Sequence, residues 1–503
     1  MDDSLSEDTY FVRGIRSKTT ELDIPLIEMP KDKIEDFTWI TRLDAGSLRN
    51  WHTPTVDILI QVPPTSSSVL RLLKSIKEAD YSGLKPPHIT LELPAELDES
   101  VKKHLEQFKW PPHNNNPLAP SGLVMRRRIT NQRATQEESA IRFLELFYPS
   151  TASNSHVLLL SPQVQLSPRY FHFIMYAILE YKYSTFGEDD NESVMGVSLE
   201  LPSVLLDGKR ALTPPSLDDM RTERYARLYP KTKSAPFLWQ APNSHAALFF
   251  GNKWSELHSF LGKRVEEHQR SSKSSSRSKL VSETLPSWTE YMLEFMRARG
   301  YSLLYPAITS SALVTIHNEL YHAPEEFITS PAETDQKSGV APPKYDEAFL
   351  RTDEIAQPAK ISEPPVVPGS LPLHMALPFN GDLPEVPHLP QLLYDGEKIS
   401  PSSLLTVTAE YANQFRKEIG GCTIPKGKHR KVITGDAGDL FCFGGEDQDD
   451  WEDDLPAKQE TFELPVTKAH RKPRVDDSTM TFRSVSATRT EGVTNPTAAP
   501  DAV

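Results

Sequence analysis

The segments that decide the fold are VDILIQV at Val56–Val62, SSSVLRLLKSIKEA at Ser66–Ala79 and HITLEL at His88–Leu93. The first and third segments are short and apolar, and a proline follows each of them, which predicts two strands. In the second segment the apolar residues recur every three or four positions behind serines that can cap a helix, which predicts a helix. A strand, a helix and a strand in this order are typical of a parallel βαβ unit.

The same alternation continues along the chain. It predicts a helix at Leu97–Phe108, a strand at Leu123–Ile129 and a helix with a capping box at Thr135–Phe147. His156–Leu160 reads HVLLL, an uninterrupted apolar run typical of a strand buried on both faces, and a helix is predicted at Pro168–Tyr181. The expected fold class is therefore α/β, a Rossmann-type, mostly parallel sheet flanked by helices.

The chain has 503 residues, of which 55 are basic and 69 acidic, so its formal net charge is −14. This charge argues against sequence-independent binding of nucleic acid, which needs a positive surface. The sequence has no run of 18 apolar residues and no apolar segment near its N-terminus, so we predict neither a transmembrane segment nor a signal peptide. Cys422 and Cys442 are too few for a disulfide-built scaffold or a four-cysteine zinc site, and we expect them to be incidental.

Composition divides the chain into four parts. Residues 1–45 form a polar lead-in, and residues 46–325 contain nearly all the periodic segments. Residues 326–445 are expected to be an extension that wraps this domain; twelve prolines between residues 326 and 400 argue against a helix or a central strand there. Residues 446–503 are polar and charged, and we expect them to be disordered.

Polar residues that follow the predicted strands are candidates for ligand binding, because open α/β sheets bind ligands beyond the carboxyl ends of their strands. The sequence has neither a GxGxxG fingerprint nor a P-loop. Arginines at the end of the third strand suit the charge of a diphosphate, although an exposed strand end is the alternative interpretation. We call eight residues the donor-binding candidates, where the donor is a ligand that carries a diphosphate: Pro63, Thr65, Glu92, Arg126, Arg128, Arg133, Ser161 and Gln163.

An aromatic residue with amide neighbours lies further along the chain. Trp239 is followed by Gln240 and Asn243, and this combination can stack on a sugar ring and bind its hydroxyl groups. These three residues are the candidate acceptor-binding residues; burial of Trp239 in the core is the alternative.

Several segments carry a resemblance to a known family. They are WHTPTVDILIQ at 51–61, HVLLLSP at 156–162, FLWQAPNSHAALFFGNKW at 237–254, PSWTEYMLEFMRARGYSLLYP at 286–306 and LVTIHNE at 313–319. In this order they resemble GT-A glycosyltransferases of family 2, and among those a fungal glycosyltransferase 2 group. The resemblance covers roughly residues 38–325.

The resemblance implies transfer of a sugar from a nucleotide-diphosphate sugar to a hydroxyl group of a glycan, lipid or protein acceptor. It assigns the catalytic base to Glu290, with Glu294 one turn later on the same helix, and it assigns a metal or diphosphate contact to His317. Pairing of both glutamates with Arg297 on an exposed helix face is the alternative. The family uses Mn²⁺ or Mg²⁺, and its Golgi members imply an endomembrane location, whereas the missing signal and anchor predict a cytoplasmic one.

The sequence departs from the family where the metal-binding carboxylates are expected. That position reads Ser161-Pro162-Gln163, and neutral oxygens of this kind are weak ligands for a divalent cation. Three interpretations stay open: a transferase that needs no metal, a protein that keeps the fold but only binds a ligand or partner, and a metal site completed by Asp189 or Asp190.

Overall fold

The computed structural model describes residues 9–63, 68–95, 97–112, 122–127, 141–185, 187, 191–270, 279–307, 312–317, 371–433, 435–443 and 451–453. Its strands are β1 (Thr55–Gln61), β2 (His88–Leu93), β3 (Leu123–Arg127), β4 (Ser155–Leu160), β5 (Val164–Leu166), β6 (Val194–Ser198), β7 (Phe237–Trp239), β8 (Ala246–Phe249), β9 (Ser302–Tyr305), β10 (Val314–Ile316), β11 (Gln391–Leu392), β12 (Lys398–Ile399), β13 (Lys428–Arg430) and β14 (Trp451–Asp453). Its α-helices are α1 (Thr9–Glu21), α2 (Ala45–Arg49), α3 (Ser68–Glu78), α4 (Glu99–Gln107), α5 (Tyr170–Tyr183), α6 (Arg224–Leu228), α7 (Gly251–Arg270), α8 (Trp288–Arg299), α9 (Leu373–Ala376) and α10 (Pro401–Glu418).

Ten of these strands form one sheet in the order β12-β11-β7-β9-β6-β8-β4-β1-β2-β3. Strands β7, β8 and β11 run opposite to the other seven. The predicted fold class is confirmed: the chain is α/β, with a mostly parallel sheet flanked by helices. The remaining pairs are β5 with β10 and β13 with β14.

The sheet is buried on both faces, as its continuous apolar strands predict. Along β1, Ile58 and Ile60 belong to one hydrophobic cluster, whereas Leu59 belongs to the other. Helices α3, α4 and α5 supply the first cluster, and α7, α8 and α10 supply the second. The helices predicted from periodicity at Ser66–Ala79, Leu97–Phe108 and Pro168–Tyr181 correspond to α3, α4 and α5, which lie on the first face.

One strand contradicts the expectation that the proline-rich region contains no central strand. Strand β11 lies between β7 and β12 inside the sheet. Pro390 precedes it directly, and its carbonyl oxygen accepts a hydrogen bond of 2.9 Å from the amide of Leu238. A proline lacks an N–H group but keeps its carbonyl acceptor, so it can stand at the first position of a ladder.

A buried ion network joins the C-terminal segment to the helices on the second face. The Asp439 carboxylate lies 2.5 Å from Arg299 Nη2 and 2.8 Å from Arg416 Nη2. Arg299 Nε also lies 2.7 Å from Glu256 Oε1, and the hydroxyl group of Tyr301 donates to Glu256 Oε2 at 2.8 Å. The side chains of Arg299, Arg416 and Asp439 are at most 5% exposed, so the charges are almost fully removed from water.

The two cysteines are not incidental, because they form a disulfide bond. Cys422 follows α10, and its amide donates to the carbonyl of Arg416 at 2.8 Å. The amide of Cys442 donates to the carbonyl of Gly420 at 2.7 Å. The bond closes a loop over 20 positions of sequence, and this loop contains Asp439. No helix in the described ranges is long and apolar enough to cross a membrane.

Candidate functional site

The strand order creates a crossover point between β1 and β4. From β1 the chain moves outward to β2 and β3, and it then returns to the other side of β1 at β4. At such a point the connections leave neighbouring strands in opposite directions, so a crevice opens beyond the carboxyl ends of the strands. Pro63 follows β1 and Ser161 follows β4, so both predicted donor-binding residues lie at this edge.

Two further donor-binding candidates occupy the adjacent strand ends. Glu92 pairs in register with Gln61 of β1 and with Arg126 of β3. Its carboxylate is 3% exposed, accepts a hydrogen bond of 2.9 Å from Gln61 Nε2 and lies 3.9 Å from Arg142 Nε. Arg126 is exposed. The edge therefore carries a buried acid beside an accessible guanidinium group.

The connection after β4 brings three predicted residues together. The amide of Gln163 donates to Ser161 Oγ at 3.4 Å, and its carbonyl accepts from the amide of His317 at 3.1 Å. His317 Nε2 lies 2.8 Å from Gln165 Oε1. The pairing of β5 with β10 causes this contact, because it joins the segment after β4 to the segment that ends in His317.

Asn243 belongs to a polar cluster that sequence reasoning identified only in part. Its Nδ2 atom donates to Ser198 Oγ at 2.9 Å and to Glu200 Oε2 at 3.1 Å. Its Oδ1 atom accepts from the amide of His245 at 2.7 Å. Asn243 therefore fixes both the end of β6 and the start of β8.

The missed members of this cluster are Glu200 and His245. His245 Nδ1 lies 3.0 Å from Glu200 Oε2, and the two side chains are 30% and 13% exposed. Burial lowers the pKa of His245, but the charge of Glu200 and its hydrogen bond outweigh burial and raise that pKa above its ordinary value. The carbonyl of His245 accepts from the amide of Ser161 at 2.7 Å, which places this ion pair beside the end of β4. The sequence signal that could have identified His245 is its position directly before β8, which begins at the carboxyl edge of the sheet.

The other two acceptor-binding candidates are buried in the structure. Trp239 is 1% exposed and packs against the ring of Tyr305 at 5.1 Å between centroids. Its indole nitrogen finds no hydrogen-bond acceptor among the described residues. Gln240 is 2% exposed, and its Nε2 atom donates to the carbonyl of Met296 at 3.4 Å. Their role in acceptor binding stays a prediction.

The predicted base and its neighbour lie on α8. Glu290 accepts hydrogen bonds from the amides of Leu280 at 3.2 Å and Val281 at 2.8 Å, and so attaches the preceding segment to the helix. Glu294 lies 3.3 Å from Arg264 Nε, a different arginine from the expected Arg297. Both glutamates line a cavity of about 230 Å³. The side chain of Arg297 lies over the rings of Tyr394 and Tyr411, which line the same cavity.

The described residues at the carboxyl edge form no cluster of the kind that holds a divalent cation. No group of three or more histidine, cysteine, aspartate or glutamate side chains that could hold a metal occurs among the described residues. Glu92 and Glu200 are each already bonded to amide or imidazole groups. Thr65, Arg128 and Arg133 lie outside the described residues, as do Asp189 and Asp190.

One family model matches part of the chain. Residues 1–51 match the family model described as the SPBC1E8.03c N-terminal domain, which is about a tenth of the chain. No curated protein matches the sequence.

Among solved structures, the chain is similar to the mannosyltransferase PcManGT from Pyrobaculum calidifontis in complex with GDP-Man and Mn²⁺, at 12% identity over 55% of this chain and 63% of that one, with a TM-score of 0.25. It is also similar to GalNAc-T7 with UDP, GalNAc and Mn²⁺, at 12% identity over 56% of this chain and 46% of that one, with a TM-score of 0.30. Its identity to TarS of S. aureus is 8% over 52% of this chain and 60% of that one, with a TM-score of 0.25. The chain spans less than two thirds of the length of these three proteins, and at such scores the similarity says nothing about activity.

Proposed function

We propose that the protein transfers a sugar from a nucleotide-diphosphate sugar to an acceptor hydroxyl group at the carboxyl edge of its sheet. The observation that supports this proposal is the convergence of Pro63, Glu92, Arg126 and Ser161 at the ends of four adjacent strands around the crossover point. An open α/β sheet binds nucleotides at this kind of place.

Each polar group at the edge has a role suited to its chemistry. Arg126 pairs with phosphate oxygens, because a guanidinium group matches them in a bidentate arrangement. Glu92 is buried and holds the neighbouring strand end through the hydrogen bond that it accepts from Gln61 Nε2. His245, whose pKa is raised by the adjacent Glu200, stabilises the negative charge that develops on the leaving diphosphate. This histidine thus takes the charge-stabilising role for which the described residues offer no metal site.

Removal of the acceptor proton needs a carboxylate, and two are proposed. Glu290 is the base that the family resemblance implies. Glu200 is the second candidate, because it lies at the carboxyl edge beside the end of β4 and is 13% exposed. Glu290→Gln should abolish turnover and preserve donor binding if Glu290 is the base, and it should leave turnover largely intact if it is not. Glu200→Gln should weaken donor binding in either case, because it removes the partner of His245; if Glu200 is the base, it should also abolish turnover at saturating donor.

The alternative function is a binding or scaffold protein that keeps the fold without catalysis. The two are separated by isothermal titration of the full chain with UDP and with GDP, in EDTA and in Mn²⁺, followed by an assay for release of the nucleotide from UDP-sugars and GDP-sugars. We expect binding in EDTA that His245→Ala weakens and that the exposed control His104→Ala does not. Affinity that appears only with Mn²⁺ would instead favour a metal site, and absence of nucleotide binding would refute the transferase.

The disulfide bond bears on the proposed location. Disulfides persist in oxidising compartments and are rare in the cytosol. The bond between Cys422 and Cys442 therefore favours the endomembrane alternative over the cytoplasmic one. Alkylation of the protein in lysates of its own cells, before any reduction, should modify neither cysteine.

A further inference from the structure

A second and larger cavity lies at the opposite edge of the sheet. Its volume is about 790 Å³. It is bordered by the segment between α3 and β2, by Pro111 and Pro112 after α4, and by Pro168 and Arg169 before α5. Because α3 and α4 return from the carboxyl edge to the starts of β2 and β3, this cavity lies at the amino edge. The length of the strands separates it from the proposed transfer site.

Four prolines and a tyrosine make its walls apolar and rigid. Pro86, Pro111, Pro112 and Pro168 present rings without N–H groups. The hydroxyl group of Tyr81 is already bonded to the carbonyl of Ile76 at 2.8 Å and to Tyr170 Oη at 2.7 Å, so the tyrosine offers the cavity its ring. Preformed cavities of this size, with apolar walls and a few convergent polar groups, are typical of small-molecule sites.

The polar groups of the cavity form ion pairs in which the acids are more deeply buried than the bases. Lys33 Nζ lies 2.8 Å from Asp80 Oδ1, and Arg169 pairs with Asp80 and, at 2.6 Å, with Asp36. The acids lie inside, at 6% and 9% exposure, whereas Lys33 is 34% and Arg169 is 17% exposed. The accessible side of this cluster is therefore cationic.

Lys33 retains a donor for a further acceptor. Its ammonium group has three N–H donors, and its hydrogen bonds to Asp80 and Ser82 use two of them. Arg169 is 17% exposed and contributes its positive charge to the same wall, with its Nη atoms paired to Asp36 and Asp80. Lys77 is exposed on the same wall. The exposed acid of the wall, Glu78, lies 3.9 Å from Lys74 on the outer face of α3.

We propose that this cavity binds a small organic anion, with the anionic group at Lys33 and Arg169 and a flat apolar body between the prolines and Tyr81. The inference does not depend on the transferase, because no residue of the cavity belongs to the carboxyl edge. Its chemistry is that of an aromatic carboxylate, sulfonate or phosphate ester.

The test uses the full chain and 8-anilinonaphthalene-1-sulfonate, an aromatic anion that fluoresces when bound in an apolar site. We expect saturable binding at one site, with at least tenfold weaker binding of the neutral analogue N-phenyl-1-naphthylamine. Lys77→Gln should weaken binding severalfold, and Lys33→Gln should weaken it at least tenfold. Lys102→Gln, an exposed lysine on α4 outside the cavity, should leave it unchanged.

Because Lys33→Gln removes a partner of Asp80 and can lower stability, Ala79→Trp provides a second variant. It fills the cavity from its wall without touching the ion pairs, and it should abolish the saturable signal. Competition completes the test: benzoate should displace the probe, whereas equal displacement by inorganic phosphate would overturn the apolar part of the proposal. Displacement by UDP, equal affinity for the neutral analogue, or unchanged binding in Ala79→Trp would overturn the assignment of the site.

Discussion

Replacement of Asp439 by asparagine should destabilise the protein strongly, although it removes no volume. Asp439 is fully buried and is the acidic partner of Arg299 and Arg416. In the variant, Arg299 keeps Glu256 as its counter-ion, but Arg416 keeps only the neutral acceptors Asn413 Oδ1 and the carbonyl of residue 439. A buried guanidinium group without a counter-ion is far less stable than the intact pair.

The magnitude follows from burial. Removal of one partner of a buried ion pair costs about 3–5 kcal/mol. With an unfolding entropy of about 2.1 cal/mol/K per residue for the roughly 340 described residues, this loss lowers the melting temperature by about 4–7 °C. The measurement is thermal unfolding followed by circular dichroism, together with the midpoint of urea unfolding.

A matched control lies three residues away. Asp436 pairs with Lys263 at 2.8 Å, but its side chain is 43% exposed, so Asp436→Asn should cost no more than about 1 kcal/mol. Equal effects of the two variants, or a shift below 2 °C in Asp439→Asn, would refute the argument that burial of this network determines the stability of the C-terminal segment.

Three further predictions concern other parts of the molecule. Cys422→Ser removes the disulfide that closes a loop over 20 positions, and it should lower the free energy of unfolding in urea by about 3 kcal/mol. Reduction of the wild-type protein should lower it by the same amount. An unchanged free energy of unfolding in both cases would show that the disulfide does not form. Gly196→Ala should prevent folding, because its Cβ atom would lie 1.9 Å from a carbonyl oxygen of the adjacent strand. Gly262→Ala on an exposed helix face should instead stabilise the protein by about 1 kcal/mol. The yield of soluble protein and the melting temperature of each variant, compared with those of the wild type, test the two expectations. UDP affinity should be full below the raised pKa of His245 and should fall as the pH rises through it. Glu200→Gln should lower that pKa and weaken UDP binding at pH 7.5 at least about tenfold. The same pH profile in the wild type and in Glu200→Gln would refute the role of the Glu200–His245 pair.

The layers of the fold could be predicted because their signals are local. HVLLL is buried along its whole length, so its apolar run is visible in the sequence without knowledge of any partner. Strand β11 could not be predicted, because two residues form it and its place depends on β7, about 150 residues earlier. Strand β10 lies within the segment Leu313–Glu319 that carries part of the family resemblance, and it pairs with β5 outside the main sheet.

In the candidate site, too, some residues could be named from local sequence, whereas others could not. Candidates at the ends of strands, such as Glu92 and Ser161, could be named from the sequence because the fold class fixes where strand ends meet. The pair of Glu200 and His245 was missed, because 45 positions separate its members and only the antiparallel pairing of β6 and β8 brings them together. The disulfide was missed for a similar reason, since spacing alone does not show whether two cysteines come within bonding distance.

The place of β11 in the sheet has a consequence for biosynthesis. Trp239 leaves the ribosome about 150 residues before its ladder partner Leu392. At 5–20 residues per second this interval lasts about 8–30 s, during which the edge of β7 has no neighbour on that side. An open strand edge is a template for intermolecular pairing, so the nascent chain is open to aggregation at this stage. Fragments that end before residue 391 should accumulate as aggregates even when every helix facing β7 has been synthesised.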